Sequence, residues 1–248
     1  MIATTYPLTI RDRLDRLYRI ATQRPGRNTQ VSLGGLSVQQ TRGGAAAAGW
    51  WLSGGISAAN CIAAYQPKGA ASYAASKVNL ANPGTYDATE GVAPSWNGSD
   101  GWIGNGSAYL DTGYASPSGA SVIVRYSNAA LNTKAPCGAY DAANKRFYFV
   151  DTVGGVFGFR YGALSYNTGA ATSAAILAMT PTGLYVNGSL AYSHSTTFTQ
   201  FASTNYILAD NQTGAAANIF TGNLYAVAWY DIDIAAYISA LTTAMAAL

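Results

Sequence analysis

Hydrophobic and polar residues alternate with a period of two along much of this chain, in short runs separated by turn residues. Between Phe220 and Tyr230, Tyr225, Val227 and Trp229 alternate with Leu224, Ala226, Ala228 and Tyr230, which predicts a strand with two different faces. Val122, Val124 and Tyr126 oppose Ser121, Ile123 and Arg125, while Phe147 and Phe149 oppose Tyr148 and Val150. Phe157, Phe159 and Tyr161 likewise oppose Val156, Gly158 and Arg160. These read as half-buried antiparallel strands. Asn187-Gly188 lies between two further runs, Gly183 to Val186 and Ser189 to Tyr192, and supplies the positive φ angles of a two-residue hairpin turn.

The period becomes helical at both ends. A helix is predicted from Thr9 to Arg24: Thr9 caps it, Asp12 completes a capping-box-like pair, and Arg24-Pro25-Gly26 stops it. Ile10, Leu14, Leu17 and Ala21 form one apolar stripe. Asp12 with Arg16, and Asp15 with Arg19, are acid-first i,i+4 pairs worth about 0.2–0.5 kcal/mol each. So short a helix needs a surface to lie on, whether a partner, a second copy or its own domain. Ile238, Leu241, Met245 and Leu248 predict a short terminal helix that packs on the domain.

Residues 25–57 are rich in Gly, Ser, Gln and Ala and read as an extended linker or clamp. Trp50-Trp51 anchors it, either as the domain's first packed residues or as an interface hot spot. The chain therefore divides into an N-terminal helix and Gly-rich attachment arm (1–44), a linker (45–57) and a β domain (58–248).

Composition sharpens this picture. The 18 Tyr, 7 Phe, 5 Trp and 27 Gly favour strands and tight turns over helices. Only 10% of the residues are charged, so the surface is covered by a partner or kept soluble by Ser, Thr, Asn and Tyr. Residues 1–42 carry seven Arg against Asp12 and Asp15, so the net charge of +3 describes the arm and not the domain. Arg13, Arg16 and Arg19 offer guanidinium forks to a partner's carboxylates, and nucleic acid is not expected.

The start lacks the basic and apolar regions of a signal peptide, and no apolar run is long enough for a membrane span. Synthesis in a reducing cytoplasm is expected, with Cys61 and Cys137 permitting one disulfide but not requiring it. The Asn-x-Ser/Thr matches at Asn97, Asn105, Asn187 and Asn211 then mark turns.

Chemistry-bearing patterns are sparse. Glutamate occurs once, at Glu90, so the paired glutamates of jelly-roll glycoside hydrolases are absent, and the aspartates lie in turn contexts. The lone His194 supports neither a triad nor a metal cluster, and no Gly-rich run has the context of a phosphate loop. On these grounds the chain is expected not to be an enzyme.

The run Gly183-Leu184-Tyr185-Val186-Asn187-Gly188, followed by Phe220-Thr221-Gly222-Asn223-Leu224, resembles the end of a laminin-G-like, concanavalin-A-like jelly roll. Ile62-Ala63-Ala64-Tyr65 and the run from Gly104 to Gly113 resemble that family's opening strands, so the resemblance covers roughly residues 60–232. It implies an all-β, concanavalin-A-like antiparallel β-sandwich, here with an N-terminal helix and arm and a short C-terminal helix. Domains of that family commonly bind calcium or sugars at loop ends, which makes Asp111 and Asp210 the positions to inspect for a metal; no other cofactor is expected. The combination of arm and sandwich resembles a bacteriophage virion protein, decorating a head or attached to a tail. The implied partners are a capsid or tail protein, further copies of the chain and a host-surface glycan. A carbohydrate-binding module independent of a virion, and an Asp-based glycoside hydrolase, are the alternatives.

Overall fold

The structure is a computed structural model that describes residues 30–33, 36–39, 49–131, 134–151 and 155–248. The chain forms two compact units, Met1–Ala47 and Ala48–Leu248. In the first, β1 (Gln30–Leu33) pairs antiparallel with β2 (Leu36–Gln39), so the stretch read as a linker contains a hairpin. The predicted helix from Thr9 to Arg24, with the stripe of Ile10, Leu14, Leu17 and Ala21 and the arginines Arg13, Arg16 and Arg19, lies outside the described residues.

The second unit opens with a 3-10 turn at Trp50–Leu52 and continues through β3 (Cys61–Tyr65) and the short helix α1 (Tyr73–Ser76). Next come β4 (Thr89–Val92), β5 (Ser95–Asn97), β6 (Gly101–Asn105), β7 (Tyr109–Asp111) and β8 (Ser121–Ser127). They are followed by β9 (Cys137–Ala142), β10 (Lys145–Asp151), β11 (Val156–Tyr161), β12 (Leu164–Ala170), β13 (Ala175–Met179), β14 (Gly183–Val186) and β15 (Ser189–Ser193). The chain closes with β16 (Tyr206–Ile207), β17 (Asp210–Gln212), β18 (Ala215–Ala217), β19 (Thr221–Tyr230) and the helix α2 (Ile238–Ala246).

These strands build the expected two-sheet antiparallel sandwich. One sheet runs β12-β11-β10-β9-β16-β7-β4, with β17 joined parallel to β9 and β18 paired to β17. The other runs β15-β14-β13-β8-β19-β6-β5, with β3 paired to β19. Between them lies a core to which the first sheet contributes Leu110, Phe147, Phe149 and Phe159, and the second Val122, Val124, Val227 and Trp229. Each fully buried aromatic of this core contributes about 1.5–3 kcal/mol.

The middle strands of the second sheet are buried on both faces. Ile123, Ile176, Ala228 and Tyr230 on its outer side pack against Ile238, Leu241 and Met245 of α2 and against Trp50 and Ile56. The strand from Ser121, expected to be half-buried, is therefore covered on both sides. Trp50 is 7% exposed and Tyr230 Oη donates to the Trp51 carbonyl at 2.9 Å, so of the two readings of the Trp pair the structure takes the first, the domain's own packed residues, and not an interface hot spot. The segment 45–57 thus holds side chains that belong to the sandwich.

A bulge revises the expected faces of the last strand. In the β19–β8 ladder Leu224 faces Tyr126 and Ala226 faces Arg125, which leaves Tyr225 as the extra residue. Leu224 therefore joins Val227 and Trp229 in the central core, while Tyr225 lies between Lys68 Nζ and Arg125, 4.4 and 5.1 Å from its ring centre.

The turns carry the expected chemistry. Asn187 and Gly188 have φ of 49° and 82°, and the Asn187 side chain accepts the Ile176 N–H at 2.9 Å. The other three Asn-x-Ser/Thr asparagines also cap turns: Asn97 accepts the Asp100 N–H, Asn105 the Ser107 N–H and Asn211 the Gly214 N–H.

Candidate binding face

The outer face of the first sheet, carried by β4, β7, β16, β9, β10, β11 and β12, differs from its counterpart. Residues there alternate with core residues and are polar, aromatic or charged. The register sets them in one row: Thr89 faces Asp111, Asp111 faces Tyr206, and Tyr206 faces Gly138. Gly138 faces Tyr148, Tyr148 faces Arg160, and Arg160 faces Ser165. Seven strands about 4.8 Å apart make this row about 29 Å long.

Gly138 stands buried at its middle, where the backbone of β10 and the base of Tyr148 fill the space a side chain would take. A Cβ there would lie 2.3 Å from both the Phe147 carbonyl oxygen and Tyr148 Cβ, and the residue has φ of 141°, which L side chains rarely adopt. Tyr148 and Tyr206 flank this position, and Tyr206 stacks on Tyr109 with ring centres 4.9 Å apart and planes at 28°. Burial pushes the phenols of Tyr148 and Tyr206 above their ordinary range, so they act as neutral stacking and hydrogen-bonding groups. Beyond Tyr148, Arg160 donates to the Asn167 side chain at 3.0 Å, and Arg146 Nε donates to the Gly162 carbonyl at 3.1 Å. Among the described residues neither guanidinium pairs with a carboxylate, the ion pair there being Lys77 with Glu90.

A cleft of about 700 Å³ opens beside Tyr206, lined also by Asp111, Asp141, Lys145, Thr204 and Asn211. Its carboxylates hold the loops in place. Asp111 Oδ1 accepts the Gly113 N–H at 2.8 Å, and Asp141 accepts the N–H groups of Ala202 and Ser203 at 2.7 and 3.2 Å. Each retains acceptor capacity for a ligand hydroxyl. Asn211 donates to the Thr204 carbonyl at 2.9 Å, which fixes the opposite wall.

Asp210 does not join Asp111 at this cleft. It is fully buried, with Oδ2 accepting from Gln212 at 2.9 Å and Oδ1 lacking a well-formed hydrogen bond. Burial, outweighing the Gln212 and Asn218 side chains, raises its carboxyl above the ordinary range. Asp111 lines the cleft while Asp210 is buried, and among the described residues no three His, Cys, Asp or Glu side chains stand together. Cys61 and Cys137 are both free and buried, and burial pushes the Cys61 thiol up to about 12.

Sequence alternation already placed Tyr148 and Arg160 opposite the core phenylalanines. Gly138, Tyr206 and Asn211 were missed, because only the register brings β16 and β17 to the edge of β9.

No protein-family model matches the chain, and no curated protein matches it. Solved structures do. A Trypanosoma rangeli sialidase mutant displaying trans-sialidase activity aligns with a TM-score of 0.51 and 14% identity, over 77% of this chain and 34% of that one. The same organism's sialidase with 2,3-difluorosialic acid gives 0.51 and 13% over 74% and 33%. The NanB sialidase of Streptococcus pneumoniae gives 0.39 and 13% over 53% and 25%, a score that carries no argument. The chain spans about a third of the length of the Trypanosoma sialidases, and at these identities the likeness concerns fold alone.

It nevertheless corrects one expectation. The chain was expected not to be an enzyme because glutamate pairs are missing, yet its fold neighbours are chains of glycosidases. Sialidases use a tyrosine nucleophile, so a lone Glu90 is no argument against an enzyme. What the chain shares with these proteins is a β-sandwich fold.

Proposed function

We propose that the sandwich is a glycan-binding adhesion module, and that residues 1–44 fasten it to the capsid or tail of a bacteriophage virion. The observation that carries the first half is the contrast between the two outer faces. The middle of one is covered by α2 and Trp50, whereas the other carries Tyr148, Arg160 and Asp111 in one row, with Asp111 at a cleft. Rigid aromatic rings with few rotatable bonds suit the apolar faces of sugars, and the flanking carboxylates, amide and guanidinium suit their hydroxyls. A laminin-G-like jelly roll belongs to the same reading, and so does the sugar chemistry in the names of the sialidases above. The virion half rests on the arm, whose charge excess and apolar stripe need a surface to lie on; a virion protein is the occupant we propose.

A glycan array probed with the full chain tests the adhesion reading. The expected result is selective binding that Tyr148→Ala and Asp111→Asn each weaken by about tenfold or more. An array without selective binding, or binding indifferent to both substitutions, would overturn it. Low-resolution imaging of purified particles with the chain labelled tests the attachment, and label absent from the particles would remove the virion half alone.

A further inference from the structure

Residues 43–248 carry three arginines, Arg125, Arg146 and Arg160, and two of them are neighbours on the outer face of the first sheet. Tyr148 of β10 faces Arg160 of β11, and Arg146 lies two residues before Tyr148 on the same strand, hence on the same face. Arg146 and Arg160 are thus diagonal neighbours across the ladder, about 7–8 Å apart at the backbone and within reach of each other for side chains of this length. Two like charges so placed repel. Arg125 is engaged elsewhere, its Nη1 donating to the Met245 carbonyl.

Both guanidinium groups are half-buried and pinned to backbone carbonyls. Arg146 Nε donates to the Gly162 carbonyl at 3.1 Å, and its Nη2 donates to that of Ala163. Arg160 Nη1 donates to the Phe159 carbonyl and to the Asn167 side chain, each at 3.0 Å, and has the Tyr148 phenol as a further neighbour. These bonds orient each fork and leave it further N–H donors, since a guanidinium carries five. Burial foremost, and with it the positive charge of Arg146, holds Arg160 below the ordinary guanidinium range. The want of a carboxylate beside them is not a matter of supply, because residues 43–248 hold nine Asp and Glu against seven Lys and Arg.

Charge and donor count together say what the ligand is. A carboxylate brings one charge and two oxygens, whereas a phosphate monoester brings three oxygens and, above its second pKa of about 6, a charge near −2 that matches the arginine pair. We infer that Arg146, Arg160 and Tyr148 bind a phosphate monoester in its dianionic form. This goes beyond the adhesion reading and does not rest on it, since the site needs no sugar.

The test is NMR titration of the full chain with glycerol 3-phosphate, O-phosphoserine and inorganic phosphate, with sulfate and acetate as contrasting anions. At least one of the two esters is expected to bind saturably, about tenfold or more tighter than sulfate or acetate, and to shift the side-chain signals of Arg146 and Arg160. Preference for the glycerol ester assigns the phosphate to a polyol or lipid headgroup and preference for phosphoserine assigns it to a protein, and either supports the site. Arg146→Gln and Arg160→Gln should each weaken ester binding by about tenfold or more. The unaltered chain gives a second readout that does not depend on how the variants fold. Guanidinium groups stay charged throughout, so ester binding should fall about tenfold between about pH 7 and about pH 5 as the ester takes up its second proton. The other titratable groups around the pair are Tyr140, which faces Arg146, Tyr148 and the buried Asp210, and protonation of Asp210 acts in the opposite sense. No saturable ester binding, sulfate bound as tightly, binding indifferent to both substitutions, or binding unchanged across that pH range would overturn the inference. Arginines that merely brace the Gly162 turn would lower the melting temperature when replaced, while the esters left the melt of the unaltered chain where it was, and that result would overturn it as well.

Discussion

Tyr206 on β16 faces Gly138 on β9, and that pairing puts a buried residue without a side chain between two tyrosines. The glycine is required by the backbone: neither a larger residue nor a relaxed φ fits at 138. Tyr206 in turn lines, with Asp111, the cleft beside this position.

Gly138→Ala should cost at least about 2 kcal/mol, since it combines a φ of 141° with a contact to the Phe147 carbonyl that cannot give way. For a domain of this size that lowers the melting temperature by about 4–8 °C. Thermal denaturation followed by circular dichroism checks it, and an unchanged melt would show that β9 relaxes freely.

Asp210 makes stability depend on acid. Its folded carboxyl titrates above the ordinary value of 3.8, so the folded state holds the proton more tightly than the unfolded one. The stability it contributes is full below pH 3.8 and is lost as pH rises through the folded value. Asp210→Asn should therefore stabilise the sandwich at neutral pH, by about 1 kcal/mol or 2–4 °C. The gain should shrink toward pH 4, and melts of both proteins across that range measure it.

His194 acts in the opposite sense. It lies against Tyr161 with ring centres 5.1 Å apart, accepts the Thr196 N–H at Nδ1, and is held below its ordinary 6.5 by burial. Its contribution is present above pH 6.5 and is lost as pH falls through the lowered folded value. His194→Gln should flatten that part of the pH–stability profile, and an unaltered profile would assign the slope elsewhere.

A chain of residues 48–248 should fold and melt cooperatively, because Trp50 and Ile56 lie within that unit and pack on the outer side of its second sheet. One starting at residue 58 lacks both and should lose about 3–5 kcal/mol. Equal melting of the two fragments would mean that the Trp50 layer adds nothing.

Leu14→Asp together with Leu17→Asp tests the attachment arm. Loss of incorporation into particles, with the melting temperature of the sandwich unchanged, is the expected outcome. A large fall in that temperature with incorporation retained would move the attachment surface onto the sandwich.

What the sequence determined by itself is local. Alternation in Phe147 to Val150 and Phe157 to Tyr161 assigned core and outer faces, Asn187-Gly188 assigned a hairpin, and the spacing of Ile238, Leu241 and Met245 assigned the closing helix. Each follows from interactions within a few residues, where strand and helix periods and turn sterics are legible. The side of Leu224 was misread because one bulged residue, Tyr225, reverses the alternation, and a bulge is visible only against a partner strand. The cleft was beyond the sequence for a related reason. Gly138 meets Tyr206, and Tyr206 meets Tyr109, through pairing between distant segments. Nothing local distinguishes the burial of Asp210 from the accessibility of Asp111, since both are aspartates in short polar strands. Tertiary packing decided which carboxylate kept water, which tyrosines stood at a cleft, and which sheet received the closing helix, because those outcomes depend on what the rest of the chain lays over each face.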